Sequence, residues 1–249
     1  MQIVVNGLLT SYQRSGNGKQ LLILHGWGDS SGGWRKFADL LAKDYEVITI
    51  DLPGFGGSQA PESAWGLTEY ANFVAAFVDK LDLKLAILIG HSNGGAIAIR
   101  GLSSGVLTTT KLVLLASAGI RNEYKGRNKA LRLITKAGKA VTSPLPRTVK
   151  KKLQRKVYAT VGSDMLVAEH LQETFKKVVT DDVRGDARKV TIPTLLMYGQ
   201  NDQSAPVRYG EIFHEQMSNS TLEILPGTEH FLHLEQPDKV LKLIREFLR

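Results

Sequence analysis

Leu85-Ala86-Ile87-Leu88-Ile89-Gly90-His91-Ser92-Asn93-Gly94-Gly95-Ala96-Ile97-Ala98-Ile99-Arg100-Gly101-Leu102 decides how the rest of the chain is read. Leu85 to Ile89 is an apolar run of strand length, suited to burial on both faces. From near Asn93 to Leu102 the small and aliphatic residues predict a helix. At the junction, Gly90-His91-Ser92-Asn93-Gly94 fits G-x-S-x-G, the sharp strand-to-helix turn that lifts a hydroxyl above the C-terminal edge of a sheet. The glycines let neighbouring backbone pass close to a strained residue. The pattern alone is weak, because Gly101-Leu102-Ser103-Ser104-Gly105 satisfies it too. Ser103 lies at the end of a helix, where a small, glycine-rich exit is ordinary, so context singles out Ser92.

The same alternation extends in both directions. Leu21 to Leu24, Val47 to Ile50, Leu112 to Leu115, Thr194 to Tyr198 and Thr221 to Leu225 read as further strands. Trp34 to Leu41, Thr68 to Leu81, Val207 to Met217 and Asp238 to Leu248 read as helices. Gln2 to Val5 and Leu8 to Gln13, about Asn6-Gly7, predict an edge hairpin. Repeated strand–helix units imply an α/β fold, a mostly parallel central sheet with helices on both faces. Residues 121–190 break the rhythm, with helical patterns at Val149, Leu153 and Val157 and again at Val167, Leu171, Phe175 and Val178, separated by Pro144 and Pro146. This interval is expected to be an inserted helical lid, with residues 1–120 and 191–249 forming the core domain.

A chain of 249 residues, 43% hydrophobic and 22% charged, can bury a large core without disulfides or structural metal. The absence of cysteine excludes disulfide frameworks, thiolate zinc sites, iron–sulfur clusters and a cysteine nucleophile. No run approaches the roughly 18 apolar residues of a spanning helix, and Met1 to Gly7 lacks a basic region followed by an apolar core, so a cytoplasmic location is expected. A net charge of +8 would by itself suggest nucleic acid or an anionic surface. Residues 121–190, however, hold 18 Lys and Arg against 7 Asp and Glu, leaving the remainder slightly acidic, and no nucleic-acid partner is expected.

A serine hydroxyl is a poor nucleophile at neutral pH and needs a base, which in turn needs an orienting acid. Asp202, in Tyr198-Gly199-Gln200-Asn201-Asp202, directly follows a strand, where open α/β sheets collect functional groups. His230 lies in Gly227-Thr228-Glu229-His230-Phe231-Leu232-His233, after the last strand. Ser, Asp, His is a known chain order for such a triad. His233 is the rival base, but His230 is nearer the strand end. After Leu112 to Leu115 there are Ser117, Gly119 and Asn122 but no acid, and Glu123 is too far along. His25 and His91 read as local hydrogen-bonders that stiffen their loops, and Asp51, in Asp-x-Pro-Gly, as a turn residue. His230 and His233 lack an accompanying H-E-x-x-H or carboxylate cluster, so no metal is expected. No G-x-x-x-x-G-K-[ST] occurs, and Gly26-Trp27-Gly28 fails the dinucleotide fingerprint at Ser31, so no nucleotide or flavin cofactor is expected.

Beside the turn at Ser92, the chain contains His25-Gly26-Trp27-Gly28, Asp51-Leu52-Pro53-Gly54-Phe55-Gly56-Gly57-Ser58 and His230-Phe231-Leu232-His233-Leu234-Glu235-Gln236-Pro237. By these four stretches, in this order, it resembles the α/β-hydrolase superfamily, specifically the lid-bearing serine esterases and lipases, over nearly its whole length. The resemblance implies Ser92 as nucleophile, His230 as base, Asp202 as acid, and the backbone N–H groups of Trp27 and Asn93 as oxyanion hole. Related dehalogenases and epoxide hydrolases carry Asp where Ser92 stands, which disfavours those activities. Carboxylic ester cleavage without a cofactor is expected. C–C bond hydrolases, perhydrolases and cofactor-free lyases share the scaffold and stay open, as does a slow-turnover ligand-binding or sensor protein.

Arg147, Lys150, Lys151, Lys152, Arg155 and Lys156 surround Val149, Leu153 and Val157 in a basic amphipathic pattern. It reads either as a solvated face over a packing stripe or as an attractor of anionic lipid or acidic acyl substrates. On the second reading, hydrolysis of acidic esters and binding to anionic vesicles weaken steeply with added salt. Salt-independent rates would assign the charge to solubility.

Overall fold

The protein, analysed as a computed structural model, is described over residues 1–121 and 169–249. Asn6 and Gly7, with φ of 46° and 81°, turn β1 (Gln2–Val5) into β2 (Leu8–Ser15), the two-residue hairpin in which both central residues must be left-handed. There follow β3 (Gln20–Leu24), α1 (Ser31–Leu41), β4 (Glu46–Ile50), α2 (Leu67–Lys80), β5 (Leu85–His91), α3 (Asn93–Ser103) and β6 (Lys111–Leu115). The second part holds a 3-10 turn (Glu169–Leu171), α4 (Gln172–Thr180), α5 (Arg184–Ala187), β7 (Thr194–Gly199), α6 (Val207–Gln216), β8 (Ser220–Leu225), α7 (Leu232–Glu235) and α8 (Pro237–Leu248).

Eight strands form one sheet in the order β1-β2-β4-β3-β5-β6-β7-β8. β2 pairs antiparallel with β1 and β4, and every other pairing is parallel. The apolar runs behave as their composition requires: all six residues of β7 and the last four of β3 are buried, so both sheet faces are covered. α1 packs on α8, while α2, α3, α5 and α6 form a second connected layer. β5 runs two residues past its apolar stretch because His91 still pairs in register with Leu115. The short α7, not separately expected, is capped by Glu235, whose carboxylate accepts the Glu229 and Phe231 N–H groups at 2.7 and 2.9 Å. β3 lies between β4 and β5, so the connections diverge there and a crevice opens at the C-terminal ends of β3 and β5.

Of the expected lid, residues 122–168, including Val149, Leu153, Val157, Val167 and the basic stretch Arg147 to Lys156, lie outside the described residues. The described return, α4 and α5, is helical, and several bonds fasten it to the core. Arg100 of α3 reaches Asp181 at 3.0 Å and Asp186 at 2.9 Å. His170 Nε2–H donates to the Gly54 carbonyl at 2.9 Å, and the Thr174 hydroxyl accepts the Trp65 N–H at 3.1 Å.

Leu88, at the centre of β5, is fully buried. Leu88→Ala lowers unfolding stability by about 2–5 kcal/mol, read as a lower urea midpoint at unchanged slope. An unmoved midpoint would show that β5 is not central to the core.

Candidate active site

The site is built on a strained turn. Between β5 and α3, Ser92 adopts φ 50° and ψ −116°, a conformation that non-glycine residues reach only under constraint. The constraint is visible in the backbone: the Ser92 N–H donates to the Leu115 carbonyl at 3.0 Å, and the Ser92 carbonyl accepts the Gly95 and Ala118 N–H groups, each at 3.0 Å. Space is as tight as conformation, since a Cβ on Gly94 would sit 2.2 Å from the Leu24 carbonyl oxygen. Only glycine lets α3 start this close to β3.

Asp202 follows β7 and is buried. Its Oδ1 accepts the Ser204 and Ala205 N–H groups at 2.7 and 3.0 Å, and its Oδ2 lies 2.7 Å from His230 Nδ1. A carboxylate oxygen can only accept from Nδ1–H, so this contact assigns the proton to Nδ1 and leaves Nε2 as an acceptor. The fold thus joins Asp202 and His230, the two residues expected as acid and base.

His91 does more than the local stiffening expected of it. Its Nε2–H donates to the carbonyl of His230 at 3.0 Å, across 139 positions of sequence, so the residue before Ser92 holds the loop that carries His230. Burial, together with His230 and His233, holds the His91 imidazole well below its ordinary pKa and therefore neutral. No signal in the sequence marks this bond, because its acceptor is a backbone carbonyl. His25 does bond locally, donating from Nδ1 to the Gly26 carbonyl at 2.7 Å and accepting the Leu52 N–H on Nε2 at 3.0 Å. His233, the rival base, is stacked on Trp34 with centroids 3.8 Å apart and planes 10° off parallel. Asp202 bonds His230 instead. Asp51 accepts the Ser31 and Gly57 N–H groups at 2.6 and 2.8 Å, shaping the turn as expected. Ser103 Oγ bonds Asp186 at 2.9 Å, an anchor at the end of α3.

Ser92, Asn93 and Trp27 line one cavity of about 250 Å³, with Ile120, Phe175 and Val178 among its apolar walls. The Trp27 loop adjoins the turn closely: a Cβ on Gly26 would lie 3.1 Å from Ser92 Cβ. The Trp27 ring packs on Phe55 and Phe175, centroids 4.9 and 5.1 Å away, so it forms cavity wall and core at once. The Ser92 hydroxyl makes no hydrogen bond among the described residues. A second recess of about 340 Å³, bounded by Gln13, Arg14, Arg35 and Asp39, contains none of the motif residues.

Burial, and secondarily the nearby His230, push the His233 imidazole down to about 4. The unfolded chain takes up that proton near pH 6.5, so the native state is fully stable above this value and loses up to about 3 kcal/mol as pH falls toward 4. His233→Phe, which keeps the ring against Trp34, flattens the decline in urea melts between about pH 4 and 7. An unchanged slope would locate the effect elsewhere.

The geometry has relatives. The alpha/beta hydrolase family matches residues 21–243. The 2-hydroxy-6-oxo-6-(2'-aminophenyl)hexa-2,4-dienoic acid hydrolase of Metapseudomonas resinovorans is 26% identical, over 97% of this chain and 88% of the relative. The pimeloyl-(acyl-carrier protein) methyl ester esterase of Aliivibrio fischeri is 24% identical, over 95% of this chain and 96% of the relative. The solved esterase of Exiguobacterium antarcticum shares the fold, with a TM-score of 0.77 at 23% identity, over 99% of this chain and 98% of that one. A match spanning most of the chain, on a sheet whose strained serine turn sits at the crevice, means that this protein belongs to the alpha/beta hydrolase family.

Proposed function

We propose that the protein is a serine hydrolase that cleaves carboxylic esters through an acyl-enzyme on Ser92. The observation that carries this reading is the 2.7 Å bond from His230 Nδ1 to Asp202, which frees Nε2 to take a proton. As Ser92 Oγ attacks the ester carbonyl, its proton passes to Nε2, and Asp202 stabilises the imidazolium that results. The Ser92–His230 bond closes when substrate is bound, as such bonds often do. The carbonyl oxygen, now an oxyanion, accepts the backbone N–H groups of Trp27 and Asn93, each contributing on the order of 3 kcal/mol. His230 then protonates the departing alcohol. In the second half, His230 takes a proton from water, hydroxide attacks the acyl carbon, and the proton returns to Ser92. The named activity of the Aliivibrio fischeri relative supports the ester class.

A second reading, hydrolysis of a C–C bond next to a ketone, is favoured by the somewhat higher identity to the Metapseudomonas resinovorans relative. Turnover of p-nitrophenyl esters against that of a vinylogous diketone separates the two.

A fluorophosphonate probe labels the wild type and not Ser92→Ala, while Ser103→Ala is labelled normally. Ser92→Ala lowers kcat for p-nitrophenyl esters by about 10⁶-fold, and Asp202→Asn, which favours the wrong tautomer, by about 10⁴-fold. Undiminished turnover in Ser92→Ala would remove the proposal.

A further inference from the structure

One polar side chain at the site has no role in this mechanism. Asn93 contributes its backbone N–H, and its side-chain amide takes no part. Asn93 is 4% exposed, and among the described residues neither its Oδ1 nor its Nδ2 has a hydrogen-bond partner. Thr49, His91 and His233 also carry unpartnered buried atoms among the described residues, but Asn93 is the one that lines the cavity beside Ser92. Folding gives no reason for an amide there. From Asn93 to Ile99 every residue of α3 is buried, and Gly94 to Ile99 are all small or aliphatic. Asparagine is a weaker helix former than leucine or alanine, and a buried amide without partners is destabilising. Side chains that weaken the fold in this way are kept where a ligand completes them.

We propose that the Asn93 amide is a substrate-recognition group, bonding a hydroxyl or amide carried on the second or third carbon of the acyl chain. The proposal rests on the ester-hydrolase reading of the same site. An amide both donates and accepts, so it is matched by a group that does the same, rather than by an ether or a halide. Ser92, which holds the acyl carbon, and Asn93 are consecutive, with Cα atoms about 3.8 Å apart, and both line the same cavity. That distance reaches the first carbons of the chain and not its tail. The tail lies against the apolar walls, Ile120, Phe175 and Val178.

The experiment compares p-nitrophenyl butanoate with p-nitrophenyl 3-hydroxybutanoate. Wild type favours the hydroxylated ester in kcat/KM by about tenfold or more, because a site built to bond a hydroxyl penalises the analogue lacking it. Asn93→Leu, of similar shape, and Asn93→Ala as a smaller control bring the ratio to about one or below, whatever happens to the absolute rates. A ratio that these variants leave unchanged, or a preference found only for hydroxyls on the alcohol side of the ester, overturns the proposal. Thermal melting needs no turnover: Asn93→Leu raises Tm by about 2–4 °C, since the unpartnered amide is no longer buried. A lower Tm would mean that the amide is bonded within the protein, and would overturn it too. Hydrolysis of both esters that persists in Ser92→Ala instead counts against the ester-hydrolase mechanism, so the two failures are distinguishable.

Discussion

The backbone of Ser92 is held in a conformation it would not adopt alone, and the hydrogen bonds that hold it come from the ends of neighbouring strands. Leu115 closes β6 and accepts the Ser92 N–H, while Ala118, just beyond, donates to the Ser92 carbonyl. The turn is thus a property of the sheet rather than of the pentapeptide. Strain of this kind costs of order 1–3 kcal/mol and persists only where the surroundings over-determine it. Here the over-determination comes from parallel strands buried on both faces, whose register fixes where β5 stops and α3 starts.

From that fixed point the site is assembled by two links. His91, one residue before the turn, bonds the His230 carbonyl, and Asp202 orients the His230 ring from the other side. The loop bearing His230 is therefore clamped between β5 and β7, the one residue giving it a backbone anchor and the other a ring orientation. His91 and His233, both buried, surround His230 with imidazoles whose environment keeps them uncharged. A neutral surround avoids like-charge repulsion with the imidazolium that the proposed mechanism forms on His230, leaving Asp202 as its charged partner.

The cavity draws its walls from parts of the chain that are remote in sequence: Trp27 after β3, Ile120 after β6, Phe175 and Val178 from α4. Arg100 of α3 fastens the chain that follows α4, bonding Asp181 just past its end and Asp186 of α5. The segment that walls the cavity and the helix that begins at the cavity floor are thereby one mechanical unit. Asn93, at the start of that helix, is placed to sense what fills the space.

Residue order alone placed most of the strands and helices, though not the last two residues of β5 or the short α7. Buried parallel strands must be nearly continuous apolar runs, and Leu21 to Leu24, Val47 to Ile50 and Thr194 to Tyr198 cannot be satisfied in any other element. It also singled out Ser92, Asp202 and His230, because functional groups in such sheets collect just past strand ends, which are legible as places where apolar runs stop. The stacking of His233 on Trp34 and the burial of Asn93 without partners among the described residues were decided only in three dimensions. So was the reach of His91 to a carbonyl 139 residues away. These depend on a ring stacked on a residue remote in sequence, on a contact with a backbone atom, or on the lack of any contact, and none leaves a mark in residue order.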